Sequence, residues 1–219
     1  MARKEMSSKA LWIHQKLEEL YPVVEPPLDH FDPYTLMVAV LLSAQCTDKK
    51  VNEVTPELFR VAPDPASMLK LGATGILDII RPLGLAPQKS KHLEANSRIL
   101  LERFQGKLPG TLEELEQLPG VGHKTASVVL NQAFGVAAFP VDTHIHRLAQ
   151  RWKLSTGQSV TQTERDLKAT FPERLWGKLH LQIIFYGREY CKAVKHPIEE
   201  CPICLKLQPK TRRRSSSSV

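Results

Sequence analysis

The chain has 219 residues, 42% of them apolar, enough to bury one good core or two small ones. Thirty Lys and Arg against twenty-three Asp and Glu leave a formal net charge of +7 and a pI near 9.3, which favours a polyanionic partner. No run approaches a membrane span, and residues 1–20 mix Lys and Glu into their apolar pattern, which excludes a secretory signal or transmembrane helix and predicts a soluble, intracellular protein.

Residues 8–21 carry Leu11, Trp12, Leu17 and Leu20 at helical spacing, and Pro22, Pro26 and Pro27 then stop the pattern, predicting an amphipathic helix and a proline linker. Asp32-Pro33 is a helix-start pair, and residues 34–43 are apolar nearly all round, as suits a helix in the middle of a bundle. Helical patterns continue over residues 49–60, 67–71, 74–80 and 89–104, broken by Pro63, Pro65, Gly72, Pro82, Gly84 and Pro109. Residues 143–152, 161–170 and 175–190 again read as helices. No segment alternates with period two for long enough to argue a sheet, and no internal repeat is visible. The predicted fold is all-α, many short helices on short loops.

Two phrases interrupt this regularity. The first runs Leu118-Pro-Gly-Val-Gly-His-Lys-Thr-Ala126, the second Val141-Asp-Thr-His144. Pro119, Gly120 and Gly122 are costly inside a helix, whereas residues 124–133 form a good helical run with Val128, Val129 and Ala133 on one face. The first phrase is therefore a tight turn feeding a helix N-terminus. Two glycines one residue apart permit positive φ and remove the Cβ atoms that hold a ligand away, so backbone N–H groups can face an anion at the positive end of the helix. A DNA phosphate is the obvious anion. Upstream, residues 111–117 begin with Thr111 as N-cap and a capping box to Glu114, so the unit reads helix, glycine hairpin, helix. A Gly-x-Gly turn alone is as often mere connection as function. Lys124 at the start of the second helix, and Asp142 eighteen residues later, go beyond what a connection needs.

This unit and its spacing to Val-Asp-Thr-His closely resemble the helix-hairpin-helix of the endonuclease III family of DNA glycosylases. The resemblance runs from about residue 8 to about residue 205. It implies a two-domain helical helix-hairpin-helix glycosylase fold with the DNA cleft between the domains. The first domain spans residues 26–136 and carries the hairpin; the second combines residues 1–25 with 137–208. Residues 209–219, three arginines among them and four serines, are expected to form a disordered basic tail.

The resemblance also implies the chemistry. Lys124 is the nucleophile that attacks sugar C1′, forming a Schiff base from which β-elimination cuts the strand; family members that lack this lysine use water. A free lysine has a pKa of about 10.4, so a cationic or desolvating environment at the helix N-terminus is expected to favour the neutral amine. Asp142 is the carboxylate that assists this nucleophile and stabilises positive charge on the sugar, although its place just before a helix also suits a plain N-cap. Neither role needs a metal. Pro119, Gly120, Val121, Gly122 and His123 form the DNA-binding hairpin, His123 standing where the family commonly has arginine. In the phrase Leu41-Leu-Ser-Ala-Gln-Cys-Thr-Asp48, Gln45 matches the residue that fills the space of the flipped base, and Leu85 matches the apolar wedge opposite. An exposed inter-helix residue is the plainer reading of each. Cys46 reads as a small buried apolar residue, and His144 and His146 as packing or hydrogen-bonding residues.

At the C-terminus the chain departs from the family. Four cysteines in the spacing C-x6-C-x2-C-x5-C hold a 4Fe-4S cluster in the usual form, whereas this chain has Cys191, Cys201 and Cys204 with nine and two residues between them and Lys210 at the fourth place. The expectation is an incomplete set, with the cluster absent or unstable and Cys201-Pro-Ile-Cys204 vestigial or a weak zinc site. His196 is a conceivable fourth ligand.

The predicted function is a bifunctional DNA glycosylase and abasic-site lyase that removes oxidised pyrimidines from damaged double-stranded DNA in base excision repair, as a monomer in the cytoplasm, associated with the nucleoid. Its rivals are a helix-hairpin-helix glycosylase of other specificity, which a damaged-base panel separates, and a non-catalytic DNA-binding module, which an incision assay on abasic DNA separates.

Overall fold

Asp32 opens the most deeply buried helix of the chain. In the computed structural model, which describes residues 6–207, its side chain accepts from Thr35 N at 2.7 Å while the Thr35 hydroxyl takes the Asp32 N–H, a reciprocal cap with Pro33 in the first turn. The helix it starts, α2 (Pro33–Leu42), buries every residue from Tyr34 to Leu42. A helix apolar on all sides must be covered on all sides, and α3 (Asp48–Val61), α5 (Ala86–Phe104) and α7 (His123–Phe134) pack around it. Leu36, Met37 and Leu42 are wholly buried, each contributing about 1.5–3 kcal/mol of transfer free energy.

The two helical runs expected on either side of Gly72 join as α4 (Pro65–Ile80), but Gly72 itself has φ +70 and ψ 165 and breaks the helical path there. α4 lies along α5. The expected helix over residues 111–117 shortens to one turn, α6 (Leu112–Leu115), because Pro119 follows too closely for a second. Thr111 caps it by accepting from Glu114 N. The Glu114 carboxylate accepts from the Thr111 hydroxyl instead of reaching back to the backbone, so half of the expected capping box forms.

These elements belong to one compact unit, Pro26–Pro140. Residues 137–140, expected with the second domain, fall in this one: Phe139 is fully buried and Asn131 Nδ2 reaches the Ala138 carbonyl at 3.5 Å.

The other unit combines the described residues up to Glu25 with those from Val141. It contains α1 (Ser8–Leu20), α8 (Thr143–Arg151), α9 (Val160–Thr170) and α10 (Trp176–Glu189). α1 buries Ala10, Ile13 and Leu17 and packs on α10, where Glu18 takes hydrogen bonds from Lys178 at 2.5 Å and Gln182 at 2.8 Å. A further short helix, α11 (Pro202–Leu207), follows a 3-10 turn at Ile198–Glu200; neither is foreseen from the sequence. Among the described residues there is no strand, and no helix is long and apolar enough to cross a membrane. The expected disordered tail, with Lys210, lies outside the described residues.

Candidate active site and cysteine–histidine centre

The hairpin is a turn closed by Val121 N–H donating to the Leu118 carbonyl at 3.0 Å, with Pro119 second and Gly120, at φ +78, third. Proline followed by a positive-φ glycine is the composition of a type II turn. A Cβ on Gly120 would collide with the His92 ring, so space as well as conformation demands glycine there. Gly122 differs. Its φ is −90 and a Cβ would meet nothing within 4 Å, so of the two glycines Gly120 alone uses the positive φ that both permit.

Gly122 is the N-cap of α7, which has no side-chain cap, and Gly122, His123 and Lys124 are all exposed. The helix N-terminus is thus exposed and has no side-chain cap. Lys124 occupies the second position of α7. Its side chain is exposed. His123 Nδ1 pairs with Glu116 Oε1 at 2.8 Å. Val121 points its side chain into the core, 4% exposed, so only its main chain can face a ligand.

The hairpin rests on α5. Asn96, fully buried, donates to the Pro119 carbonyl at 3.0 Å, and Arg103 donates to Gln117 Oε1 at 2.7 Å. Together with His92 against Gly120, these residues recur at helical spacing along one face of α5.

Gln45 and Leu85 are both exposed and both in left-handed backbone, at φ 56 and φ 61. Non-glycine residues adopt that region at a cost, so each loop is held by its surroundings. The two loops meet, the Cys46 thiol lying 4.0 Å from the Gly84 carbonyl. Lys89 locks them: almost completely buried, it donates from Nζ to the carbonyls of Leu42 at 2.8 Å and Ala44 at 2.7 Å and to Cys46 Sγ at 3.3 Å. A cation is favoured there because the last carbonyls of α2 carry the negative end of the helix dipole. Cys46, read as a small buried apolar residue, is half-buried against the core and also hydrogen-bonded.

Asp142 caps α8, accepting from Ile145 N at 2.8 Å through Oδ1. His146 Nδ1 meets Thr163 Oγ1 at 2.9 Å, and His144 Nδ1 meets Arg147 Nη2 at 3.2 Å. Burial, with lesser contributions from Arg147 and Arg188 against the pull of Asp142, holds His144 below its ordinary 6.5.

The incomplete metal set expected near the C-terminus is corrected. Cys191, His196, Cys201 and Cys204 each offer one donor atom, all within 4.8 Å of one another, so a histidine completes a group of four that can hold a metal ion. Cys191 Sγ lies 3.5 Å from His196 Nε2 and 3.7 Å from Cys204 Sγ. The sulfurs also have outer partners. Arg151 donates to Cys191 Sγ at 3.2 Å. Tyr186 OH accepts from Ile203 N at 2.9 Å, which directs its own proton to Cys201 Sγ at 3.2 Å. Burial first, then the bond to Cys201, pushes the Tyr186 phenol well above its ordinary 10, so it stays a donor. Lys89, Asn96 and Arg151 are not foreseen from the sequence. The one available signal for the first two was their helical register with apolar Leu93 and Leu100.

Comparison with known proteins places this geometry. Residues 38–173 match the model of the HhH-GPD superfamily of base excision DNA repair proteins. Endonuclease III of Treponema pallidum (strain Nichols) is 43% identical over 197 residues, covering 89% of this chain and 92% of the relative. Endonuclease III of Escherichia coli (strain K12) is 41% identical over 196 residues, covering 90% and 93%. A solved structure of a trapped endonuclease III–DNA covalent intermediate, an estranged-adenine complex, superposes with a TM-score of 0.87 at 34% identity, covering 95% of this chain and 99% of that one.

Proposed function

Because the chain belongs to the HhH-GPD superfamily of base excision DNA repair proteins and, within it, to the endonuclease III family, we propose that its glycosylase and abasic-site lyase chemistry runs through Lys124 and removes oxidised pyrimidines from double-stranded DNA. The observation that carries this reading is Lys124 exposed one position inside α7, beside a glycine whose missing Cβ leaves open space. A backbone phosphate is the group we assign to that space, bound by the first N–H groups of α7.

The neutral amine of Lys124 bonds to C1′ as the C1′–base bond breaks, and the base leaves with a proton. Ring opening yields an iminium. Loss of a C2′ proton then expels the 3′ phosphate as its C–O bond breaks, and water hydrolyses the Schiff base to free the lysine. Asp142 is assigned the proton transfers and stabilisation of charge on the sugar, its Oδ1 meanwhile capping α8. Gln45 and Leu85 are assigned to the duplex, the amide filling the space of the flipped base and the leucine wedging the stack. Their left-handed backbone and exposure support this assignment. None of these steps runs through the cysteine–histidine group. We place the enzyme on nucleoid DNA in the cytoplasm, acting as a monomer.

Borohydride added during reaction with abasic or thymine-glycol DNA is expected to trap the wild-type protein on the strand, and Lys124→Gln to abolish trapping while binding in a gel-shift assay persists. A Lys124→Gln protein that still cross-links would remove Lys124 as nucleophile.

A further inference from the structure

We propose that Cys191, His196, Cys201 and Cys204 form a closed site for one tetrahedral ion of the zinc class, in place of the 4Fe-4S cluster that the family resemblance implies. The argument is first one of size. In a cubane each protein ligand caps a different iron, which sets the four donor atoms roughly 6 Å apart. Here all four lie within 4.8 Å of one another, so the residues present do not fit that group. A single ion bound at about 2.3 Å from sulfur and about 2.0 Å from nitrogen requires tetrahedral edges of roughly 3.5–3.8 Å. The Cys191–His196 edge is 3.5 Å and the Cys191–Cys204 edge 3.7 Å.

Donor chemistry points the same way. Three thiolates and one imidazole are a complete structural zinc set, with no position left for water. The outer contacts suit it: three thiolates around a divalent ion leave one negative charge in excess, and the Arg151 guanidinium lies against Cys191 Sγ at 3.2 Å. The buried Tyr186 hydroxyl, oriented by Ile203 N, donates to Cys201 Sγ. The lengthened spacing between Cys191 and Cys201 is what admits the histidine. It leaves room for His196, followed by Pro197 and the 3-10 turn Ile198–Glu200, so that the chain doubles back and the ring meets the sulfurs. The ion then ties the end of α10 to α11.

The test uses the full chain, purified anaerobically and aerobically from cells supplied with both iron and zinc. Metal analysis is expected to find one zinc per chain, and X-ray absorption at the zinc edge about three sulfur and one nitrogen neighbour. Cys204→Ser should lower zinc occupancy at least tenfold and Tm by about 5 °C or more. Should that variant fail to fold, chelator titration of the wild type decides instead, with release of one equivalent of zinc accompanied by the same fall in Tm. Four irons with acid-labile sulfide per chain, or protein that holds no metal while keeping its full Tm, overturns the proposal.

Discussion

Gly120 and Gly122 look equivalent as letters and are not equivalent as positions. Gly120 has positive φ and the His92 ring where a Cβ would go, so Gly120→Ala is expected to destabilise the fold by about 1–3 kcal/mol, read from denaturant midpoints. Gly122 has neither constraint, so Gly122→Ala should leave the midpoint within about 0.5 kcal/mol. If the space beside Gly122 belongs to a phosphate, the same substitution weakens binding to damaged and undamaged duplex alike; a loss confined to damaged DNA would show the hairpin reading the base. Asp142 allows a similar separation, because asparagine caps helices as well as aspartate does. Asp142→Asn is expected to keep Tm and lower turnover by about two to four orders of magnitude. Full turnover in that variant would leave the cap as the whole role of Asp142.

At the scale of elements, α5 organises the hairpin unit from behind. One face carries Lys89 under the Gln45 and Leu85 loops, His92 under Gly120, Asn96 under Pro119 and Arg103 under Gln117. Lys89→Met keeps most of the side-chain volume but removes the charged donor from the Leu42 and Ala44 carbonyls. Hydrogen bonds to charged groups are worth about 1.5–3 kcal/mol each, partly offset by relief of a buried charge, so a net loss of about 2 kcal/mol is expected. Hydrogen exchange locates the damage: the amide of Cys46, bonded to the Ser43 carbonyl at 3.0 Å, should exchange faster while amides of α10 keep their rates. Uniform acceleration would mean that Lys89 acts on the whole fold and not on the loop.

For the whole molecule, histidines held below their ordinary value make stability depend on pH. Burial is the main cause for both His14 and His144. As pH falls, the unfolded chain takes up these protons first, near the ordinary 6.5, while the folded protein resists. Their contribution is therefore complete above that value and is lost as pH falls below it. Tm is expected to fall as pH is lowered from about 7.5 to about 5.5, the loss setting in near the ordinary histidine value of about 6.5 and growing below it, and His14→Gln with His144→Gln should flatten the change. An unaltered slope in the double variant would assign the loss to other groups.

What the sequence alone determined was what neighbouring residues decide. Asp32-Pro33 starts a helix because the cap and the fixed φ are local. Gly72 interrupts one, Pro119 and Gly120 make a turn, and Lys124 and Asp142 fall at helix starts for the same reason. These phrases, through their resemblance to a family, were enough for the all-α fold and the chemistry. Tertiary structure decided whatever joins residues distant along the chain. Lys89 and Asn96 look like solvent-facing letters, yet both are buried, because carbonyls left unpaired in other segments reward a donor brought to them by packing. The same holds for His196. Counting cysteines leaves the metal set one ligand short with His196 a conceivable fourth, and the folding of the loop after α10 brings that imidazole within reach of three sulfurs, since a metal site is defined by distances in space and not by spacing in sequence.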